Sequence, residues 1–287
     1  MEHKKKLFKR IILGVMILVF SAYTILYYLF WPSFRESLLK IEAFSIITGI
    51  ILIRVFIFLL MTYILFRQWI KQESIYTSDA YFLFGTTFII LTAGKLFDLF
   101  YNFIHASGSF SEDFTFNLLK IRYLIIILNV IPLLYLGLQV LITLVKVYIK
   151  DLSKQQFNRM RLSIITVFLS IISLLIIFTN ERARLYNLLP VIVSGTMIGI
   201  VVMFLFMYKN KHLSQAHGLI IGAGFILAII FSFVRFILLL TFDETLTIIY
   251  SEIFDMIAYS IIFTGFILKP KYAKENIIAF PEACIEK

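Results

Sequence analysis

Long apolar stretches alternate with short polar connections along the chain. Eight of these stretches approach or exceed the ~20 residues that an α-helix needs to cross the hydrocarbon core of a bilayer. Such lengths favour helices over the strands of a membrane barrel, which have about 10 residues and alternate in polarity. The predicted spans, numbered 1 to 8 in chain order, are Ile11–Trp31, Ala43–Phe66, Ala80–Ile104, Ile121–Ile149, Leu162–Thr179, Leu188–Tyr208, Gly218–Leu240 and Leu246–Leu268.

The composition supports a membrane protein and excludes a soluble enzyme. Of the 287 residues, 61% are hydrophobic and only 15% are charged, against about 25% in a typical soluble domain. One soluble core of this length could not bury 31 Phe and 15 Tyr side chains. We therefore predict an all-α polytopic membrane protein, a bundle of eight transmembrane helices in a single domain over residues 1–287, with a short N-terminus (1–10) and a short tail (269–287).

Span 1 begins like a signal peptide, because Lys4, Lys5 and Lys6 precede its apolar run. However, the run exceeds 20 residues and no cleavage site with the small-x-small pattern follows it. We therefore expect helix 1 to be retained in the mature protein.

The distribution of Lys and Arg predicts the orientation of the chain. If the N-terminus is inside, eighteen of these residues fall in inner segments and six in outer segments. This bias places both termini in the cytoplasm, in a multi-pass protein of the cell membrane. The net charge of +10 then reflects a basic inner face beside anionic lipid, so the bilayer is the expected partner and nucleic acid is not.

Ionisable residues at membrane depth are costly and usually face a bundle interior or a cavity. With the predicted topology, these residues fall in the outer half of the membrane or at its midplane. Lys95, Asp98 and Asn102 have the i, i+3, i+7 spacing that places side chains on one helix face. Glu42 lies at the outer mouth of span 2. The predicted ligand-binding residues are Arg54, Lys95, Asp98, Asn102, Arg122, Arg235, Glu252, Asp255 and Tyr259.

Two interpretations of these charges compete. The first is a set of salt bridges between helices that fixes their packing, since buried ion pairs often do little else. The second is a polar pocket open to the outside, in which a small ligand or protons change the ion pairs. A path for ions or protons through the membrane is a third, weaker interpretation, because the inner halves of the spans carry essentially no charges.

Sequence signals for catalysis are absent. The chain contains no His-Glu-x-x-His zinc motif, no Gly-x-Ser-x-Gly nucleophile elbow and no phosphate-binding glycine loop. Its one cysteine, Cys284, cannot form an intramolecular disulfide. We therefore expect no catalytic residues, no metal and no cofactor, and we lean against an enzyme.

The region from span 2 to span 4 resembles the multi-helix membrane-associated sensor domains that precede histidine kinases and diguanylate cyclases. Those domains have a Glu-x-Phe-Ser helix start, a Leu-Asp-x-x-His outer end and an Arg-Tyr-Leu re-entry. The matching positions cover about 85 residues and are Glu42-Ala43-Phe44-Ser45-Ile46-Ile47, Gly85, Phe97-Asp98, His105 and Arg122-Tyr123-Leu124.

The match departs from the family in two respects. The family histidine follows its aspartate by three positions, where this sequence has Tyr101, so the resemblance assigns His105 no ligand or metal role. The tail after Leu268 has nineteen residues, which is too short for a kinase or cyclase. The resemblance therefore implies a free-standing sensor module that signals to a separate cytoplasmic output protein.

These observations lead to one functional prediction with two alternatives. The prediction is a sensor- or receptor-like module with an outward-facing polar pocket for a small external ligand or protons. The first alternative is a transporter or flippase for a small amphipathic or lipid-like solute. The second is a membrane enzyme that acts on lipid head groups.

Overall fold

The computed structural model describes residues 2–40, 44–148, 153–211 and 216–272. Within these ranges the secondary structure consists of nine α-helices and no strand, which confirms the predicted all-α class. The helices are α1 (Glu2–Leu29), α2 (Trp31–Lys40), α3 (Phe44–Lys71), α4 (Ala80–Ser107), α5 (Glu112–Tyr148), α6 (Lys154–Phe178), α7 (Arg182–Lys209), α8 (Gly218–Thr241) and α9 (Glu244–Ile267).

Seven helices of the described chain are long and apolar enough to cross a membrane: α1, α3, α4, α5, α6, α8 and α9. Helices are favoured there because each satisfies its backbone hydrogen bonds within its own segment. The remaining predicted span falls in α7, whose described apolar segment is the shorter Val193–Lys209. Four residues named in the sequence analysis lie outside the described residues. They are the span ends Ala43 and Ile149, Glu42 at the outer mouth of span 2, and Cys284 in the tail.

Helix α5 begins earlier than the hydrophobic pattern predicts. Its first turn contains Glu112 and Asp113, and acidic side chains there interact favourably with the helix dipole. Arg122 therefore lies ten residues after the first residue of the helix, about 15 Å along its axis. The helix also continues through Pro132.

The chain divides into two compact units, the first from Met1 to Pro190 and the second from Val191 to Lys287. In the first unit, α4 is the central helix and packs against α1, α2, α3 and α5. Helix α5 packs in turn against α6. Because α4 is apolar around most of its circumference, it buries side chains on several faces, including Phe88, Phe100 and Ile104.

Helix α2 was not predicted from the sequence. A turn at Phe30 separates it from α1, and Pro32 stands in its first turn, where a missing backbone N–H costs little. Helix α2 packs on α4 through Phe34. The centre of the Phe34 ring lies 4.1 Å from the centre of the Phe103 ring. The buried Ser37 hydroxyl also donates to the Phe103 carbonyl at 2.8 Å. These contacts bind the connection between spans 1 and 2 to the central helix.

In the second unit, α8 and α9 approach each other closely at glycines. A Cβ atom at Gly224 would lie 2.6 Å from Ile262 Cγ1 and 2.9 Å from its backbone nitrogen. A Cβ atom at Gly265 would lie 2.5 Å from Ile221 Cγ1. Small residues at such positions are what allow membrane helices to bring their backbones into contact.

Candidate functional site

The site in the first unit starts from the charged face of α4. Lys95 and Asp98 are separated by three residues, and the Lys95 Nζ atom lies 3.1 Å from Asp98 Oδ2. Their side chains are 13% and 10% exposed. This ion pair confirms that the two residues share a helix face, as their spacing predicts. Asn102 continues that face one turn further along and is partly buried.

Arg122 of α5 completes the cluster from the neighbouring helix. Its Nε atom donates a hydrogen bond to Asp98 Oδ1 at 2.6 Å. Its guanidinium carbon lies 5.6 Å from the centre of the Tyr101 ring, within the range of a cation–π contact. Asp98 therefore binds one cation on each carboxylate oxygen, and these two cations come from different helices.

Two tyrosines of α1 hold that helix beside the cluster. The hydroxyl of Tyr23 donates to the Ala93 carbonyl at 2.7 Å, and the hydroxyl of Tyr27 donates to the Leu96 carbonyl at 2.8 Å. Both carbonyls belong to the turn of α4 that carries Lys95. The i, i+4 spacing of Tyr23 and Tyr27 is the only sequence signal for a shared face.

Arg54 is the predicted site residue with the deepest burial. It lies on α3 with a relative exposure of 1%. Its guanidinium carbon is 5.1 Å from the centre of the Phe58 ring, one turn along the same helix. An arginine buried to this degree in an apolar helix meets the expectation that membrane charges face the bundle interior.

The second unit contains its own charge pair. The Nη2 atom of Arg235 on α8 lies 2.9 Å from Asp255 Oδ2 on α9, and the two side chains are 44% and 20% exposed. Glu252 lies one turn before Asp255 and is 8% exposed, and Tyr259 is partly buried one turn after it. The structure thus brings Arg235 and Asp255 together, as it does Lys95, Asp98 and Arg122. A single pocket that includes both sets stays a prediction.

A further polar contact joins α5 and α6, which sequence reasoning missed. Arg161 precedes the predicted span 5, but it lies on α6 and is 9% exposed. Its Nη2 atom donates to the Tyr135 hydroxyl and, at 2.9 Å, to Asn158 Oδ1. Its guanidinium also lies 3.7 Å from the centre of the Tyr135 ring. Arg161 stands one residue before the apolar run of span 5. Helix α6 begins seven residues before Arg161, at Lys154, so the helix extends beyond the apolar run.

The described residues contain no group of three or more His, Cys, Asp or Glu side chains that could hold a metal ion. The first-unit cluster offers one carboxylate and two cations, at Asp98, Lys95 and Arg122, which can bind charged groups. No protein-family model matches the chain, and no curated protein or solved structure is significantly similar to it.

Proposed function

We propose that this chain is an eight-span protein of the cell membrane with both termini in the cytoplasm, and that it acts as a sensor- or receptor-like module. Its signal is a small external ligand or a change in proton concentration. The observation that carries the proposal is the double engagement of Asp98 by Lys95 and Arg122. One carboxylate that binds cations from two helices provides a switch, because any change at the carboxylate alters the attraction between those helices.

The proposed mechanism starts with the neutralisation of Asp98 or with competition for its cations. A proton on Asp98 weakens its hydrogen bond from Arg122, and an external ligand competes for the same guanidinium. Helix α4 then tilts away from α5 and presents a new surface at its cytoplasmic end. Helix α9 responds in the same way within its own unit, where protonation of Glu252 or Asp255 changes the contact with α8. A cytoplasmic output protein reads the new surface.

Trp69 offers a native fluorescent reporter for the N-terminal end of α4, away from Asp98. Its ring centre lies 4.8 Å from that of Phe82 in the first turn of α4, and its indole nitrogen donates to the Tyr76 carbonyl at 2.9 Å. The chain has only two tryptophans. A Trp31→Phe background therefore makes the fluorescence specific to Trp69. We expect external acidification of oriented proteoliposomes to shift the Trp69 emission.

The Asp98→Asn variant tests the switch directly. Asn cannot change its charge, so the shift should disappear while the protein still inserts and remains helical. Asp113→Asn is the matched control, because Asp113 is an exposed carboxylate on α5, and it should keep the full shift. An unchanged shift in Asp98→Asn would contradict the proposed mechanism.

Cys284 allows the number of spans to be tested. As the only cysteine in the chain, it can be labelled in the otherwise native protein with a membrane-impermeant maleimide. We expect labelling only from the cytoplasmic side of oriented vesicles. A second variant, His3→Cys with Cys284→Ser, should react from the same side if eight spans are present. Labelling of the two positions from opposite sides would indicate seven spans.

A transport assay distinguishes a sensor from a transporter. A sensor moves no solute, so proteoliposomes should show neither uptake of small amphipathic solutes nor flipping of labelled lipids above the rate of empty liposomes. A receptor should instead retain a cytoplasmic protein on purification, and Asp98→Asn should change the amount retained. Solute flux that depends on Asp98 would support the transporter alternative.

A further inference from the structure

The guanidinium of Arg122 uses only part of its hydrogen-bonding capacity. Its Nε atom donates to Asp98, whereas its Nη1 and Nη2 atoms make no hydrogen bond with any residue that the structure describes. A guanidinium has five N–H donors, four of them on the two Nη atoms. The fork formed by Nη1 and Nη2 therefore has no hydrogen-bond partner among the described residues.

Within the cluster, the side chain of Arg122 is the most exposed. The side chains of Asp98 and Lys95 are 10% and 13% exposed, whereas that of Arg122 is 28% exposed. The accessible part of the cluster is thus on the arginine. Open charged donors within an apolar helix are costly unless water or an anion satisfies them.

The geometry of the fork restricts what can bind to it. Two parallel N–H···O bonds from Nη1 and Nη2 match a group with two oxygen atoms on one centre, such as a carboxylate or a phosphate. The Tyr101 ring approaches the guanidinium at 5.6 Å in a cation–π contact, and Nε is held on Asp98. The in-plane Nη edge remains for a ligand. A monatomic anion such as chloride has a single acceptor centre, so it cannot accept two parallel hydrogen bonds on two separate atoms.

Two amides lie on the same helix faces as the cluster. Asn102 lies one turn after Asp98 on α4, and its side chain makes no hydrogen bond with the described residues. Asn129 lies two turns after Arg122 on α5, and its Oδ1 atom is buried without a hydrogen-bond partner among those residues. Either amide can bind a neutral polar group without adding charge.

We propose that Arg122 anchors an oxyanion site in the first unit. The site first binds a carboxylate or phosphate through Nη1 and Nη2 while Nε is on Asp98, and the bound anion then competes with Asp98 for the guanidinium. This inference rests on the proposed function and adds the chemical class of its ligand. The same two-oxygen group is present in small external acids and in the headgroup phosphate of lipids, so the experiment needs one arm for each source.

The first arm uses the full chain in a neutral detergent. Sodium acetate, sodium phosphate and sodium chloride are compared at equal ionic strength, with the thermal unfolding midpoint as the readout. Acetate or phosphate should raise the midpoint more than chloride does. Arg122→Lys retains the charge but loses the fork, and it should weaken this binding by about tenfold or more. Arg184→Lys is the control, because that arginine is exposed and pairs with Glu181.

The second arm tests lipid as the source. The protein is reconstituted in nanodiscs of phosphatidylcholine and phosphatidylglycerol in equal parts, and retained lipids are counted by native mass spectrometry. Loss of one retained phospholipid in Arg122→Lys, without any midpoint shift from soluble anions, would identify a headgroup as the ligand. Selectivity that saturates at millimolar anion concentration in the wild-type protein, where general salt effects on stability are small, tests the proposal even if the variant fails to fold. The proposal is overturned if acetate and phosphate act like chloride and the retained lipids are the same in both proteins.

The outcome separates this inference from the proposed function. If oxyanions bind at Arg122 but Trp69 does not respond to them or to acid, the site is real and the sensor mechanism is wrong. If no oxyanion binds but the acid response still depends on Asp98, the switch is real and the oxyanion site is wrong.

Discussion

Between α4 and α5, a buried carboxylate makes the principal polar contact, whereas between α8 and α9 glycines allow the helix backbones to approach. A Cβ atom at Gly94 of α4 would meet Ile125 Cγ2 of α5 at 3.5 Å, which is an ordinary distance. The corresponding distances at Gly224 and Gly265 are 2.6 and 2.5 Å. The contact between α8 and α9 therefore depends on the absence of side chains at these glycines, whereas the contact between α4 and α5 depends on the presence of charged side chains.

The difference indicates that the contribution of an ion pair to a helix contact depends on how those helices pack. Arg235 is 44% exposed and its pair with Asp255 lies on helices that already pack through their backbones. Asp98 is 10% exposed and holds cations from two helices that lack such a glycine contact. The charges around Asp98 are thus the better candidates for a switch, and the Arg235 pair should contribute less to the contact between its helices.

The largest expected effect comes from Asp98→Ala. The change leaves Lys95 and Arg122 without the carboxylate that they share, and breaking a buried pair in this way costs about 3 kcal/mol. Reversible unfolding in mixed micelles measures the loss. Asp98→Asn keeps a hydrogen-bond acceptor and should lose less. A loss below about 1 kcal/mol in Asp98→Ala would remove the energetic contrast with the second unit.

The next effect comes from Gly265→Ala. The added methyl group would overlap with Ile221, and overpacking of this kind costs about 2 kcal/mol. Gly199→Ala is the control, because a Cβ atom there meets nothing within 4 Å. The control should be neutral or stabilised by up to about 1 kcal/mol, since Ala favours helix more than Gly does. Equal behaviour of the two variants would argue against close contact between α8 and α9.

A smaller effect is expected from Tyr27→Phe. The variant loses the hydrogen bond to the Leu96 carbonyl, which contributes about 1 kcal/mol, but keeps the stacking on Phe34. Unfolding and limited proteolysis of α1 measure the change. Tyr28→Phe is the control, because Tyr28 is 80% exposed, and it should behave like the wild type. The same result for both variants would show that the Tyr27 hydrogen bond does not stabilise the contact between α1 and α4.

The smallest effect is expected from Arg235→Met. The side chain is more than one-third exposed, so its pair with Asp255 should contribute less than about 1 kcal/mol. The methionine also fits a lipid-facing helix surface. The same unfolding assay measures the loss. If the loss equals that of Asp98→Ala, the two contacts are equally dependent on charge and the comparison fails.

The local features of the site could be predicted from the sequence. The spacing of Lys95 and Asp98 predicted a shared face, and the ion pair on α4 confirms it. Periodicity could not identify Arg122 as the second partner of Asp98, because several spans carry cations at similar depths. Helix α2 and the tyrosine hydrogen bonds of α1 were also missed, since polar side chains that bind the backbone of a distant helix leave no periodic signal.

The sequence by itself determined the all-α class of the protein and the positions of the ionisable residues within its long apolar helices. Apolar runs of ~20 residues admit few structures other than helices, because backbone groups in hydrocarbon need partners within their own segment. The tertiary structure alone decided that Asp98 binds Lys95 and Arg122 together and that glycines bring α8 and α9 into contact. Contacts of this kind depend on helix rotation and separation, which are set by packing against neighbouring helices and not by the composition of any one span.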